Sequence, residues 1–212
     1  MLDNKGFDLW ADDYDKSVGL SDDDNTYPFA GYKEILNQIY NEVLSIEAKK
    51  VLDIGFGTGT LTSRLYQKGI EIYGQDFSKE MLDIAKGKMP KAKLYFKDFS
   101  HGLDEALLTN RYDAIIATYS LHHLVDEDKI DFIKSLLPLL NDRGKILIGD
   151  VAFRTRDELE DCKLQAGNFW DDEEFYFVYD EMKDKFSTIT FAQISYCAGM
   201  IIIENYRLSW KL

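Results

Sequence analysis

Short apolar segments alternate with amphipathic segments along most of the chain. Residues 51–54, V-L-D-I, form an apolar and partly β-branched run that is typical of a strand buried on both faces. Similar runs predict strands at residues 70–74, 93–97, 112–118 and 145–149, and two β-rich segments at 188–195 and 200–204 predict an antiparallel hairpin at the sheet edge. The pattern therefore predicts an α/β fold with a mostly parallel sheet of seven strands.

Helical spacing of apolar residues predicts the segments that flank this sheet. Phe7, Trp10 and Tyr14 share one face of a short helix, and the apolar residues between 35 and 44 share one face of another. Residues 154–170 and 171–185 are interpreted as acidic helices. The 212 residues are interpreted as a single domain, 1–212, with an N-terminal helical cap (1–47), a core (48–153), an acidic helical cap (154–187) and an edge hairpin with a tail (188–212).

Acidic residues are concentrated at two places in a chain of net charge -13. Residues 1–26 contain eight acids and two bases, and residues 156–185 contain eleven acids and four bases. This distribution predicts no binding to nucleic acid, which relies on basic residues against phosphate. The absence of an apolar run of roughly 18 residues predicts no membrane contact.

The compartment is inferred from the cysteines and the N-terminus. Cys162 and Cys197 lie far apart in the sequence, with no metal-binding or redox spacing, and the N-terminus is acidic rather than typical of a signal peptide. We expect a reduced, cytoplasmic protein, which is a monomer or a homodimer.

A glycine-rich turn follows the first strand. Gly55, Gly57 and Gly59 lie between this strand and helix-compatible residues 60–67, an arrangement that builds a site for a nucleotide-like ligand. The dinucleotide fingerprint requires a third small residue where this chain has Thr60 or Thr62. Asp53 lies two residues before the first glycine, and its carboxylate would repel a pyrophosphate but suits an ammonium group.

The stretch D-I-G-F-G-T-G at residues 53–59 resembles motif I of the class I S-adenosylmethionine-dependent methyltransferases. The resemblance implies a doubly wound, Rossmann-like sheet, S-adenosylmethionine as cofactor and S-adenosylhomocysteine as product. It assigns Asp53 to the methionine amino group and Asp98 to the adenine amino group. Asp76 follows Gly55 by 21 residues, close to the spacing of an acid that accepts the ribose hydroxyls.

The predicted cofactor site combines strand ends, the glycine turn and two tyrosines from the cap. Tyr14 and Tyr27 belong to a region similar to a family lid, and whether they cover the ligand or pack on the sheet is left open. The predicted cofactor-binding residues are Asp53, Gly55, Phe56, Gly57, Thr58, Gly59, Asp76, Phe77, Met81, Asp98, Phe99, Thr118, Tyr14 and Tyr27.

Two adjacent histidines follow the fourth strand, in a stretch that resembles the family segment passing both cofactor and substrate. Side chains of neighbouring residues on a helix or strand point apart, so no metal site is predicted for His122 and His123. One of them, preferably His123, is expected to line the substrate pocket as a proton acceptor, and the other to be packed. Asp150, at the end of the fifth strand, is either a substrate contact or structural.

These observations predict in-line transfer of a methyl group to a small acceptor that is neutral or cationic. The acceptor, the attacked atom and the pathway are not predicted. Two alternatives stay open: a protein that binds S-adenosylmethionine without catalysis, and an NAD-dependent oxidoreductase.

Overall fold

The computed structural model describes residues 25–205. The predicted helix around Phe7 to Tyr14 and the tail after Asn205 therefore lie outside the described residues. The strands are β1 (Lys50–Ile54), β2 (Glu71–Asp76), β3 (Lys93–Phe96), β4 (Tyr112–Thr118), β5 (Leu140–Phe153), β6 (Phe177–Val178), β7 (Ile189–Gln193) and β8 (Ala198–Glu204). The helices are α1 (Tyr32–Ser45), α2 (Thr60–Gln67), α3 (Lys79–Lys88), α4 (Glu105–Leu108), α5 (Asp126–Leu136), α6 (Arg156–Ala166) and α7 (Tyr179–Met182).

The main sheet has the strand order β3-β2-β1-β4-β5-β8-β7. Strands β1 to β5 are parallel, β8 runs antiparallel to β5, and β7 forms an antiparallel hairpin with β8. The order reverses between β1 and β4, which is where ligands bind in open α/β sheets. The predicted doubly wound, mostly parallel sheet with a C-terminal antiparallel hairpin is confirmed.

Two apolar layers cover the faces of this sheet. One contains buried side chains of α1, α2, α3 and α6, such as Ile35, Leu61 and Leu159. The other contains those of α4, α5 and α7, such as Leu107 and Ile133. Within residues 25–205, every helix is too short or too polar to cross a membrane.

Two segments differ from the sequence prediction. The helix expected at 171–185 is replaced by β6, which pairs with the end of β5 through Ala152 and Phe177, and by the short α7. Phe177 is buried, so this strand gains both apolar burial and backbone hydrogen bonds that the local acidic pattern does not indicate. The strand expected at 145–149 is longer, since β5 begins at Leu140 and contains an irregularity, where the register with β4 shifts and Arg143 has φ 65°.

Helix α1 approaches strand β5 closely at Gly149. A Cβ atom at this position would lie 2.2 Å from Cγ2 of Ile35 and 2.9 Å from Cδ1 of Ile39. Only a glycine fits between the helix and the strand, and this contact fixes α1 above the sheet.

The two cysteines meet in the fold despite their separation in sequence. Cys162 lies on α6 and Cys197 directly precedes β8, and both are buried with reduced thiols. Their thiol groups form a hydrogen bond that joins the acidic cap to the edge hairpin.

Candidate active site

A cleft that is partly open to solvent lies at the C-terminal ends of β1, β2 and β4. The predicted site residues that line it are Asp53, Gly55, Phe56, Gly57, Thr58, Asp76, Phe77, Met81, Phe99, Thr118 and His123. Its other lining residues, which the sequence reasoning missed, are Tyr32, Leu36, Thr60, Leu61, Ser78, Tyr119 and Ser120. As expected, the fold brings the C-terminal ends of three strands together at this cleft.

Signals for some of the missed residues were present in the sequence. Tyr119 and Ser120 directly follow Thr118 in the stretch already singled out, and Thr60 begins the helix after the glycines. Tyr32 and Leu36 are four residues apart on α1 and reach the cleft only because that helix packs across the sheet. No local pattern indicates that packing.

The glycine turn is fastened to the loop after β4. Gly55 has φ 69°, and a Cβ atom there would lie 2.5 Å from Cβ of Ser120. The Ser120 hydroxyl donates a hydrogen bond of 2.8 Å to the carbonyl of Ile54. The two loops therefore form one rigid wall of the cleft.

Gly57 and Gly59, the other two glycines of the turn, have different structural roles. A Cβ atom on Gly57, at φ 54°, would meet nothing within 4 Å, so the backbone is open to an approaching ligand. Gly59, at φ 75°, begins α2 and packs against α3, with Met89 Cε 2.9 Å from the position of its missing Cβ. Gly59 is not part of the cleft wall formed by the described residues, and its constraint comes from helix packing.

Asp53 is a buried acid with one oxygen unpartnered. Its Oδ2 accepts a hydrogen bond of 2.9 Å from the Thr62 hydroxyl on α2, whereas Oδ1 has no hydrogen-bond partner among residues 25–205. Burial raises the pKa of Asp53 to about 7 in spite of the Thr62 hydrogen bond, and the charge of Asp76 contributes to the increase. A ligand that donates hydrogen bonds and carries positive charge would satisfy this carboxylate.

Asp76 connects the glycine turn to the start of α3. Its Oδ2 accepts a hydrogen bond of 2.8 Å from the backbone amide of Gly57, and its Oδ1 accepts one of 2.8 Å from the amide of Ser78. Ser78 caps this helix, because its hydroxyl accepts a hydrogen bond from the amide of Met81. Since each carboxylate oxygen has two acceptor positions, Asp76 keeps capacity to bind hydroxyl groups in the cleft.

Besides Gly59, two more of the predicted residues lie outside the cleft wall, Asp98 and Tyr27. Asp98 does not line the cleft among the described residues; its half-exposed carboxylate accepts a hydrogen bond from the amide of Ser100. Tyr27 is stacked on Trp170, with ring centroids 5.2 Å apart, and its hydroxyl contacts that of Tyr176. Their expected contacts with a cofactor stay predictions.

The adjacent histidines form a 3-10 turn, Leu121–His123. His123 lines the cleft, and burial together with the charge of His122 lowers its pKa to about 3. His122 is buried behind it, with Nδ1 2.7 Å from Asp150 Oδ1 and Nε2 3.5 Å from Glu174 Oε1. Burial lowers the pKa of His122, but Asp150 and then Glu174 raise it more, so the pKa lies above its usual value.

The expectation that the two histidine side chains point apart does not hold on this turn. Their ring centroids are 4.3 Å apart, and one ligand atom each from His122, His123 and Glu174 lies within 4.8 Å of the other two. Glu174 follows the histidines by more than fifty residues and could not be associated with them from sequence spacing.

Comparisons with known proteins agree with this geometry. A family model described as a methyltransferase domain matches residues 52–146. An uncharacterized methyltransferase of Alkaliphilus oremlandii is 32% identical over 183 residues, which are 86% of this chain and 81% of the relative. Another, from Geobacillus sp. strain WCH70, is 34% identical over 199 residues, covering 88% of this chain and 90% of the relative.

A solved structure shares the fold at lower identity. It is magnesium protoporphyrin IX methyltransferase from Synechocystis PCC 6803 with bound S-adenosylhomocysteine, which is 19% identical and has a TM-score of 0.65. The likeness covers 84% of both chains.

Proposed function

The chain belongs to the class I S-adenosylmethionine-dependent methyltransferases, and we propose that it methylates a small, neutral or cationic acceptor by in-line displacement. Family membership follows from relatives that are more than 30% identical and aligned over most of both chains. It argues against the NAD-dependent alternative, as does the missing third small residue after the glycine turn.

The unpartnered oxygen of Asp53 is the observation that carries the proposal. A buried carboxylate with one free oxygen is unfavourable unless a donor or a positive charge binds it. The α-ammonium of S-adenosylmethionine supplies both, and Asp53 lines the cleft where it would bind. The residues present therefore fit this cofactor.

The rest of the cleft fits the remainder of the cofactor. Asp76, held by the amides of Gly57 and Ser78, would accept the ribose hydroxyls, and the open backbone at Gly57 permits close contact. Phe77, Met81 and Phe99 provide an apolar wall for the adenine. We keep Asp98 as the proposed acceptor for the adenine amino group, and Tyr14 and Tyr27 as proposed lid residues.

The cofactor, when bound, supplies a sulfonium-activated methyl group. The protein has to align the acceptor with this group and exclude water. His123 on the cleft wall and His122 behind it are the proposed catalytic residues, since they lie beside the loop that follows β4. The acidic segments at 1–26 and 156–185 disfavour a polyanionic acceptor.

Calorimetric titration with S-adenosylhomocysteine tests the placement of the cofactor. We expect Asp53→Asn to weaken binding by at least about tenfold, because a hydrogen bond to a charged group contributes roughly 1.5–3 kcal/mol. The exposed Asp161→Asn on α6 is the control and should bind like the wild type. Equal affinity of Asp53→Asn and wild type would refute the assigned role of Asp53.

Turnover separates an enzyme from a binding protein. The proposal predicts release of S-adenosylhomocysteine when the protein is incubated with S-adenosylmethionine and a mixed panel of small amines, thiols and phenols. Tight cofactor binding with no transfer to any member of a broad panel would favour the non-catalytic alternative.

A further inference from the structure

His122, Asp150 and Glu174 form a chain of polar contacts next to the cleft. Asp150 Oδ1 is 2.7 Å from His122 Nδ1 and also accepts a hydrogen bond of 2.8 Å from the amide of Val151. Since an ionised carboxylate only accepts hydrogen bonds, the hydrogen of His122 must be on Nδ1. The other ring nitrogen, Nε2, lies on the side of Glu174.

His122 Nε2 and the carboxylate of Glu174 face each other. The distance from Nε2 to Glu174 Oε1 is 3.5 Å, and Glu174 Oε2 accepts a hydrogen bond of 2.6 Å from the Tyr176 hydroxyl. A charge-assisted N–H···O bond would be about 2.7–2.9 Å long, which is shorter than the distance observed.

The separation instead matches two ligands of one metal ion. Metal–nitrogen and metal–oxygen bonds of zinc, about 2.0–2.2 Å long, place two ligand atoms of a tetrahedral site roughly 3.4 Å apart. A ring nitrogen of His123 is the third ligand atom, within 4.8 Å of the other two. Two histidines and one carboxylate, with one position left open, form a ligand set typical of catalytic zinc.

The surroundings are also those of a metal site. Histidine ligands commonly donate their second N–H to a carboxylate, as His122 does to Asp150, and ligating carboxylates are themselves hydrogen-bonded, as Glu174 is by Tyr176. The amide of Phe175 donates to the carbonyl of His122 at 2.8 Å, which holds the segment of Glu174 against the histidine turn.

The charge of this cluster calls for a cation. Asp150 is almost fully buried and Glu174 is half-buried. The nearby ammonium of Lys129 binds Asp126 Oδ1 at 3.1 Å and the carbonyl of Phe175. Asp150 and Glu174 place carboxylate groups in a region of low dielectric, where a bound cation would offset the cost of burying them.

We propose that His122, His123 and Glu174 bind one divalent transition-metal ion, of which zinc is the best match, beside the cleft. His123 lines the cleft, so an ion bound by it lies at the cleft wall, where its open position can take an acceptor. In this assignment the two histidines act as ligands, which replaces the proton-acceptor role inferred from the sequence.

The ion gives the acceptor site a chemical preference, an inference that rests on the proposed methyl transfer. An acceptor hydroxyl or thiol bound at the open position loses its proton to solvent more readily. Its electron pair then forms the bond to the methyl carbon, and the electrons of the broken carbon–sulfur bond stay on sulfur as S-adenosylhomocysteine. The acceptor class is thus a small alcohol, phenol or thiol.

Metal titration of the untagged, full-length protein after treatment with a chelator tests the site. Co²⁺ is the probe, because its visible absorption reports a four- or five-coordinate site. The binding of Zn²⁺ is then measured by calorimetry. We expect one equivalent of either metal to bind, and Glu174→Gln to weaken binding by at least about tenfold. His123→Gln, a second ligand variant, should do the same.

Matched variants keep the result specific. Glu173→Gln changes the exposed neighbour of Glu174, and His101→Gln changes the one other histidine of the chain, which is exposed. Both should bind metal like the wild type. Absence of saturable binding, or equal binding by Glu174→Gln, His123→Gln and wild type, would overturn the metal site.

Urea unfolding without metal shows that each variant is folded, and S-adenosylhomocysteine binding without metal is measured on the same samples. This binding also tests the proposed function separately: a wild type that binds metal but not this ligand would contradict the cofactor assignment alone.

Discussion

Asp53 combines a functional position with an unfavourable environment. The carboxylate lies at the end of a buried strand, its only described donor is Thr62, and burial raises its pKa from 3.8 to about 7. At neutral pH the ligand-free protein therefore has to bury much of a negative charge. The position is costly for folding and useful for binding a cation, a conflict that is common at functional sites.

The raised pKa of Asp53 predicts a pH-dependent cost in stability. Its contribution to stability is fully present below the unfolded pKa of 3.8 and is lost as pH rises through about 7, because the folded state holds the proton more tightly. We expect Asp53→Asn to gain stability relative to wild type between pH 5 and pH 8, by roughly 2–3 kcal/mol. Urea unfolding without ligand measures this difference.

The same experiment on Asp161→Asn controls for a change in net charge. That residue is exposed on α6, so Asp161→Asn removes the same formal charge without removing a buried carboxylate, and no comparable gain is expected. A gain for Asp53→Asn that does not grow with pH would contradict the assignment of the pKa shift to burial.

Ionisation of Asp53 should strengthen the binding of the cofactor, although it lowers the stability of the ligand-free protein. A cation binds the ionised carboxylate, so cofactor affinity should rise as pH increases through about 7. Loss of the carboxylate stabilises the fold and removes the binding partner.

At the scale of elements, the contact of α1 with β5 determines one side of the cleft. Tyr32 and Leu36 on α1 line the cleft, and Ile35 and Ile39 on the adjacent face pack onto Gly149. The helix can stand so close to the sheet because position 149 has no side chain. Cofactor binding and helix packing therefore share one element.

Gly149→Ala should be destabilising. The added methyl group would meet Ile35 and Ile39 at distances shorter than van der Waals contact, and overpacking of this kind costs about 1–3 kcal/mol. Gly87→Ala is the matched control: this exposed position on α3 has open space, so alanine should stabilise the helix by about 0.5–1 kcal/mol. Chemical unfolding of both variants checks the opposite signs, and a neutral or stabilising Gly149→Ala would contradict the packing.

Local sequence patterns correctly predict the helices and strands that are determined by the apolar periodicity of their own residues. The helix predicted at 60–67 and the strand predicted at 112–118 coincide with α2 and β4. The helix predicted at 171–185 is wrong, because Phe177 and Val178 pair with the C-terminal end of β5. Local periodicity contains no information about a strand partner that is distant in sequence. The pairing of Tyr112 with Leu140, which starts β5 before the predicted residue 145, has the same origin.

The site was predictable to the extent that it consists of strand ends. Asp53, Asp76 and Thr118 line one cleft because the carboxyl ends of parallel strands share an edge. Glu174 beside His122, and Cys162 beside Cys197, depend on packing between distant segments and have no counterpart in sequence spacing.

On the scale of the whole molecule, the net charge of -13 restricts the partners. A labelled RNA should show no saturable binding in fluorescence anisotropy even at low salt, where attraction to phosphate is strongest. A basic RNA-binding protein serves as the positive control. Affinity for RNA that falls steeply as salt is added would contradict the proposed choice of a neutral or cationic acceptor.

The close contact between Gly55 and Ser120 restricts which substitutions this chain can accept during evolution. A bulkier residue at position 55 would need both a tolerated left-handed backbone and a vacated space opposite, and a bulkier residue at 120 would displace the glycine turn. Neither substitution is accessible in a single step. Positions 55 and 120 lie 65 residues apart along the chain. We therefore expect their residues to be substituted together or to be retained together.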